Sequence, residues 1–385
     1  MKILLVGNYK TLAQQSMQRY AELLGERLTA AGHEVRLVRP RVLLGRLRPA
    51  ATGIGKWLGY LDQYILFRPA LRRAARSADV VHVCDHSNAM YTGWIGGKPH
   101  VVTAHDLLAV RSALGEIPTN RPRWTGRIQQ RWILQSLRRA QLVVCVSEQT
   151  RTELMRLGGP PAERCRVVHN AINYPYRPMP AIESDAHLHA LGLDPTQPFF
   201  VHVGGNQWYK NRPGVLRLFA RLIEHRSYAQ HRLVMAGKPW TAEMRALCAD
   251  LNLDGRVDER VNVSNEQLRA LYSRAEALLF PSLAEGFGWP IAEAQACGCP
   301  VVTTGRAPMT EVGGEAAIYI DPDDPAAAAI AIAEGLTRRG AHVDAGLRNV
   351  QRFTSERLVA GCLDAYRHVL GVRDVAATAE SDPHD

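Results

Sequence analysis

The chain is 385 residues long, 22% charged and 46% hydrophobic; that is ordinary globular composition and too much chain for one core, so two or three domains are expected. A mean hydropathy of −0.17, the lack of an apolar run of about 18 residues and seven widely spaced cysteines argue against collagen, coiled coil, disulfide scaffold, wholesale disorder and an integral membrane protein. They fit a reduced, cytoplasmic chain. The net charge of +10 is uneven: residues 1–190 hold 27 Lys and Arg against 13 Asp and Glu, and the rest hold 20 against 24.

In chain order, the opening MKILLVGNYK has an apolar run too short for a signal-peptide core and reads as a first strand over 2–6. A helical pattern follows over roughly 14–31, ended by Gly32. Near-continuous apolar runs at 34–39, 79–83, 101–104, 142–146 and 166–169 read as strands buried on both faces. Between them lies the most basic stretch, 36–76, with nine Arg and Lys56 against Asp62 alone. Ile54, Trp57, Leu58, Leu61 and Ile65 fall there at helical spacing, followed by Arg68, Arg72, Arg73 and Arg76. A second basic block runs from Arg111 to Arg139 and includes Trp124 and Trp132. Such a half expects an anionic partner: a phospholipid surface, a nucleic acid or a charged substrate, with a solvated basic face as the bland alternative; the helix suits an anionic membrane interface and burial against the sheet alike.

Five prolines mark 174–198, and a linker is placed at 181–198 between a first domain, 1–180, and a second, 199–353. Strand-like runs resume at 199–203, 233–236, 260–263, 277–280, 300–303 and 317–320, and Ser264 with Gln267 has capping-box spacing before a helix to about 275. The last helix, 354–370, is compatible with either domain by pattern and is assigned back to the first; 371–385 reads as a disordered tail. The expected fold is α/β: two Rossmann-like, doubly wound domains facing each other across a cleft.

The most specific stretch follows the 277–280 strand. Glu285-Gly286-Phe287-Gly288-Trp289-Pro290 leads into a helix that Pro290 opens, with Glu293 expected in its first turn. The glycines let backbone N–H groups approach a ligand, and the helix N-terminus favours a phosphate. Two carboxylates beside an anion site suit sugar and ribose hydroxyls; a bare βα turn with a favourable first-turn acid is the bland reading. Asp321-Pro-Asp323 reads as turn chemistry, and Cys297-Gly-Cys299 is spaced too closely for a zinc hook.

EGFGWPIAE resembles the E-x7-E signature of the retaining, nucleotide-sugar-dependent glycosyltransferases of family 4, which have the GT-B fold. The segments around Gly204-Gly205-Asn206 to Lys210-Asn211, Leu233 to Gly237, Glu266 to Ala275, Thr103 to Leu107, Val146-Ser147-Glu148 and His169 to Asn173 are similar to family positions in the same order. The resemblance implies a catalytic set of Glu285 on the donor sugar's hydroxyls, Lys210 on the diphosphate and His105 beside the transferred sugar. It implies a donor site of Gly204, Gly205, Asn206, Lys210, Arg212, Lys238, Glu285, Gly286, Phe287, Gly288 and Glu293, the last holding the ribose. The acceptor side would comprise Gly7, Asn8, His86, His105, Asp106 and Ser147. Many relatives have an arginine shortly before the lysine; here 204–209 hold no cation, and Arg212 is the candidate to compensate.

Without the resemblance, His105 reads as a strand-end histidine; Lys238, after Gly237, either reaches the donor's phosphates or caps a strand end, and His86 follows the 79–83 strand, where it would line the acceptor side. With it, the chain is expected to move a hexose from GDP-mannose or a UDP-sugar to a glycan or lipid-linked acceptor hydroxyl, with no metal ion and no other cofactor. Its place would be envelope polysaccharide or glycolipid synthesis, in the cytoplasm or peripherally on the inner membrane face. An epimerase or hydrolase of the same fold, and a sugar-nucleotide-binding protein without turnover, are the rivals. A nucleic-acid-binding protein is the rival of another class, though no such module is recognisable.

Overall fold

The computed structural model describes residues 1–10, 15–47 and 53–372. Arg48 of the basic stretch, the start of the first helix at 14, the side chain of Ile54 and the tail from 373 lie outside the described residues. The chain divides into two compact units, Met1–Asn173 with the C-terminal segment from Ser355, and Tyr174–Thr354.

The first unit is a six-stranded parallel sheet of β1 (Lys2–Val6), β2 (Glu34–Val38), β3 (Val80–Val83), β4 (His100–Ala104), β5 (Leu142–Cys145) and β6 (Cys165–Val167), in the order β2-β1-β3-β4-β5-β6. Ile3 pairs with Val35 on one side and Val80 on the other. The inner strands β3, β4 and β5 are buried along their whole length, whereas the edge strand β2 keeps its charged residues outward. The order reverses between β1 and β3, which makes the loops after those strands the topological switch point.

The second unit repeats the plan with β7 (Phe199–Gly204), β8 (Arg232–Gly237), β9 (Val257–Val261), β10 (Leu278–Phe280), β11 (Val301–Thr304) and β12 (Ala317–Ile320), ordered β12-β11-β10-β7-β8-β9. Its switch point lies between β7 and β10. Phe200, Phe219, Leu233, Met235, Leu279 and Ile332 are among the buried residues of its core.

Three sequence expectations need correction. Residues 181–198 are not a bare linker: Ala181–Ala190 is a helix of the second unit, held where Arg274 bonds the Ser184 hydroxyl at 3.2 Å and pairs with Asp185. The unit boundary falls instead between Asn173 and Tyr174. The strand expected at 260–263 is Val257–Val261, because VDERV has apolar residues only at its ends; as an edge strand it lets Asp258 pair with Arg232 at 2.7 Å and with Arg260 at 3.2 Å. Glu293 is the fifth residue of helix Trp289–Ala296, beyond its first turn.

Helix Ser355–Leu370 belongs to the first unit. Its Tyr366 hydroxyl meets His82 Nδ1 at 2.6 Å, His82 Nε2 meets the Thr103 hydroxyl at 2.7 Å, and Tyr20 bonds the same hydroxyl at 3.1 Å. The helix comes so near Val168 that a Cβ at Gly361 would lie 2.7 Å from its methyl carbon. The Ser264–Gln267 capping box is present in both directions, at 3.2 and 3.0 Å.

Candidate active site

At the carboxyl ends of β7 and β10, two loops are laced together. Leu283 N–H donates to the Tyr209 carbonyl at 2.8 Å, and Asn211 Nδ2 donates to the Pro281 carbonyl at 3.1 Å. Asn211 takes a left-handed conformation (φ 49°) that ends the turn Trp208–Lys210 and starts helix Arg212–Leu222. That turn brings Lys210 Nζ to 2.7 Å from Glu285 Oε1, with both side chains largely buried, and 5.0 Å from the Phe280 ring centroid. Gly288 (φ 98°) then caps helix Trp289–Ala296, a left-handed position that glycine fills without strain. Glu293 is buried and accepts the Tyr272 hydroxyl at 3.1 Å.

Arg212 is the most informative residue of this edge. Its Nη1 donates to the Lys238 carbonyl at 2.9 Å and to the Asn206 side chain, so it ties the ends of β7 and β8 together. It is buried, yet its Nε and Nη2 have no hydrogen-bond partner. Burial pulls its pKa down, with the Glu259 carboxylate opposing. His202, fully buried in β7, donates from Nδ1 to the Leu279 carbonyl at 2.9 Å and leaves Nε2 unpartnered. Burial pushes its pKa down to about 3, helped by the Arg212 and Lys210 charges, so the ring is neutral. Buried polar groups are normally satisfied; the unused guanidinium donors mark a place where an anion would be welcome. Gly204 and Gly237 pair across β7 and β8, and a Cβ on Gly237 (φ 152°) would drive into the Gly204 carbonyl oxygen. Asn206 and Lys238 are exposed beside them, and Asn206 Nδ2 donates to the Pro239 carbonyl at 2.8 Å.

The first unit's switch point holds a different set. Asp85 accepts from Asn8 Nδ2 and, at 2.8 Å, from the Ser87 N–H, and Asn88 Nδ2 donates to Asn8 Oδ1 at 3.0 Å. His86 Nδ1 lies 3.3 Å from Asp85 and accepts the His105 N–H at 3.4 Å. His105 Nε2 donates to the Cys84 carbonyl at 2.9 Å, its ring stands edge-on to Tyr20, and its Nδ1 is buried without a partner. Burial lowers the His105 pKa against the pull of Asp85. For Asp85, burial opposes ionisation but is outweighed by His86, His105, Asn8 and the Ser87 amide, which leave its pKa lowered. Gly7 N–H is taken by the Val38 carbonyl, and a Cβ there would lie 2.9 Å from Arg39 Nε.

The sequence-derived set therefore splits. Lys210, Glu285, Gly286 and Gly288 share the loops laced after β7 and β10, and Arg212 joins Asn206 to Lys238. Asn8, His86 and His105 meet at the other switch point. Asp106 and Ser147 serve local backbone: Asp106 accepts the Leu108 N–H at 3.0 Å in the turn before helix Leu108–Leu114, and Ser147 caps helix Glu148–Arg156 through the Thr150 N–H at 3.1 Å. The Phe287 side chain is core, edge-on to Phe353 at 5.3 Å, so only its backbone can serve a ligand. Asn88, His202 and Tyr272 escaped sequence reading. His202 had a signal, as the polar break in the apolar run before Gly204.

Asp321 and Asp323 are a turn, with Asp321 accepting the Asp323 N–H at 3.0 Å and Asp323 pairing with Arg306 at 2.9 Å. Cys297 and Cys299 are buried thiols pushed upward by burial. Among the described residues, Glu183, His187 and Glu266 have metal-ligand types close together. Arg269 pairs with both of those carboxylates, at 3.6 and 3.1 Å, and Tyr174 bonds Glu266.

The chain matches the family described as Glycosyltransferase Family 4 over residues 17–174 and that described as Glycosyl transferases group 1 over residues 183–348. It is 27% identical over 327 residues to the O-antigen chain mannosyltransferase B of Escherichia coli, covering 82% of this chain and 84% of that one. Sucrose-phosphate synthase of Thermosynechococcus elongatus superposes with a TM-score of 0.75 at 20% identity, over 97% of this chain and 100% of its own. HepE of Anabaena, solved with UDP-glucose, superposes with a TM-score of 0.72 at 17% identity, over 96% and 100%. These two likenesses speak for the fold.

Proposed function

The chain belongs to the family 4 glycosyltransferases of GT-B fold, and from that premise we propose that it moves a hexose from a nucleoside diphosphate sugar to an acceptor hydroxyl with retention of configuration. The observation that carries this reading is the Lys210–Glu285 pair at 2.7 Å, set between the ends of β7 and β10 beside the start of helix Trp289–Ala296. In the free chain the two charges neutralise each other. A bound donor separates their tasks: Glu285 accepts hydrogen bonds from the sugar's hydroxyls, and Lys210 turns to the diphosphate. Glu293, held by Tyr272, takes the ribose.

The bond from the anomeric carbon to the phosphate oxygen breaks, and the acceptor oxygen forms its bond on the same face. The acceptor proton passes to the departing phosphate oxygen, so no separate general base is needed. Charge develops on the leaving diphosphate, where a fixed cation and helix N–H groups act most strongly in the transition state. Lys210 and the unused donors of Arg212 supply that charge, which is why the reading calls for no metal ion. Arg212 also answers the missing arginine at 204–209, since its guanidinium reaches back to Asn206.

At the first unit's switch point, the partner-free Nδ1 of His105 can accept a hydroxyl, with Asn8, Asp85 and His86 fixing the surrounding polarity. This suits a glycan or lipid-linked acceptor in envelope polysaccharide or glycolipid synthesis. The mannosyltransferase relative favours a mannose donor, and GDP-mannose and a UDP-sugar both stay open to the titration below.

Calorimetric titration of UDP, GDP and ADP, with and without Mg²⁺, decides among these donors. One nucleotide should bind regardless of metal, and Lys210→Ala and Glu293→Ala should each weaken it by about 1.5 kcal/mol or more, as for a lost charged hydrogen bond. Lys210→Ala should also lower turnover by about a hundredfold or more. Failure of all three nucleotides to bind would overturn the donor site. A released free sugar or an epimerised nucleotide, in place of a glycosylated acceptor, would replace transfer with hydrolysis or epimerisation.

A further inference from the structure

The first unit carries an exposed face apart from the residues of its switch point. Helix Gly53–Leu61, continued by the π-helical turn Asp62–Leu66, lies beside helix Trp124–Arg139. The π-turn precedes Pro69, whose ring cannot bond the Ile65 carbonyl and crowds it instead. Gln129 fastens the two segments: the Tyr60 hydroxyl donates to its Oε1 at 3.1 Å, and its Nε2 donates to the Tyr64 hydroxyl at 2.9 Å. The Tyr64 ring packs on Trp132 with centroids 5.7 Å apart. Burial pushes the Tyr64 phenol up to about 12, so it stays a neutral partner in this seam.

Outward from the seam run two rows, each spaced by four residues. Trp57, Leu61 and Ile65 are 58%, 43% and 60% exposed; Trp124, Ile128 and Trp132 are 71%, 57% and 40% exposed. Single exposed apolar side chains are ordinary, but six in two adjoining rows form a patch that calls for a partner. Arg68, Arg72, Arg73 and Arg76 follow the first row, and Arg121, Arg123, Arg127 and Arg131 flank the second; all eight are exposed.

Asp62 is the only acid within 53–76 and 118–140, and it is turned inward. It accepts the Tyr9 hydroxyl at 2.7 Å and the N–H groups of Leu43, Leu44 and Gly45 at 3.1, 3.0 and 3.0 Å. No carboxylate from these two segments therefore reaches the surface. Through Tyr9, the residue after Asn8, the same side chain ties the face to the loop of the acceptor edge.

We propose that this paired-helix face docks the first unit on a lipid bilayer that carries anionic headgroups. Tryptophan suits the headgroup boundary, Leu61, Ile65 and Ile128 the acyl region beneath it, and arginines the lipid phosphates. A nucleic acid fits less well, because the aliphatic members of both rows offer bases no stacking platform. The structure also redraws the contact expected at 36–76: half of it comes from 121–132, while Arg39 turns to Glu22 at 2.9 Å. The inference stands on outer residues alone and does not depend on the transferase reading.

The test is flotation of the full chain with vesicles of phosphatidylcholine, with and without phosphatidylglycerol, at low and high salt. The chain should float with anionic vesicles only, and high salt should release it. The pair Trp124→Ser and Ile128→Ser should weaken binding about tenfold or more, and Arg127→Gln with Arg131→Gln about fivefold for each arginine removed. These positions are exposed, so melting should be unchanged in every variant. Equal recovery on neutral and anionic vesicles, undiminished flotation of both variants, or tighter binding to a short DNA duplex than to anionic vesicles would each overturn the proposal. Nucleotide titration on the same preparations separates the two readings: loss of nucleotide binding with intact flotation removes the donor site and leaves the docking face standing.

Discussion

The two switch points are built on one strand plan and filled with opposite chemistry. At the first, Asn8, Asp85, His86, Asn88 and His105 hydrogen-bond one another around a carboxylate, and one imidazole nitrogen is left over. At the second, Lys210 and Arg212 bring two cations, one paired with Glu285 and the other with two donors unused. A nearly closed polar set suits a neutral hydroxyl that needs orienting; an edge with cationic donors to spare suits a diphosphate. The outer surfaces differ in the same spirit. Many arginines of the second unit are paired with acids, as in Arg232–Asp258, Arg245–Glu259, Arg274–Asp185 and Arg306–Asp323. The arginines from 68 to 76 and from 121 to 131 face solvent with no acid from their own segments. A shared fold thus leaves function to the residues at its loops and faces.

What the units share gives the largest expected effect. Each buries a histidine in an inner strand, His82 in β3 and His202 in β7, and burial pushes both down to about 3. The unfolded chain protonates them near 6.5, so below that pH it binds more protons than the folded chain does. Their contribution is whole above pH 6.5 and is lost as pH falls toward 3, by about 1.4 kcal/mol per pH unit for each ring. Denaturant titrations between pH 6.5 and 5 should show that slope in each unit, and His202→Asn should reduce it in the second unit alone, where burial also lowers the His231 pKa. Stability flat across that window would show that the buried rings take up protons in place.

Next comes the close approach of β7 and β8, which has no counterpart in the first unit. Gly237→Ala sets a Cβ against the Gly204 carbonyl and should cost about 3 kcal/mol. The melting of the second unit should fall and nucleotide binding with it. An unchanged melting temperature would mean that the β7–β8 edge tolerates a wider gap than its geometry indicates.

The smallest effect separates a cap from a ligand. Ser147 accepts the Thr150 N–H, so Ser147→Ala should cost about 1 kcal/mol of stability and leave the acceptor KM unchanged. A raised KM with unaltered melting would return Ser147 to the acceptor site.

Much of this was legible in the residues. Continuous apolar runs located the buried strands because a parallel strand is covered on both faces, and Ser264 with Gln267 announced a capping box that is present in full. The misses have physical causes. VDERV hides an edge strand because only one face of it needs to be apolar. The prolines around 181–198 suggested a linker, yet Pro180 stands just before a helix, where its fixed φ is at home. Phe287 lies inside a ligand-like motif, but its side chain is used to fill the core against Phe353. Arg212 could be named from sequence as a substitute cation; that two of its donors are buried and unused could not.

Local pattern determined the α/β class and the two-part division, since strand burial and turn glycines depend on neighbours in sequence, and the order of the motifs carried the resemblance to the family. Tertiary structure decided which distant groups meet: Lys210 with Glu285, Asn8 with Asp85, His82 with Tyr366, and the Trp57 row with the Trp124 row across Gln129. Those pairings span from 65 to 284 residues of chain. They arise only when parallel crossovers bring strand ends and helix faces together, because no local propensity encodes a contact between segments so far apart.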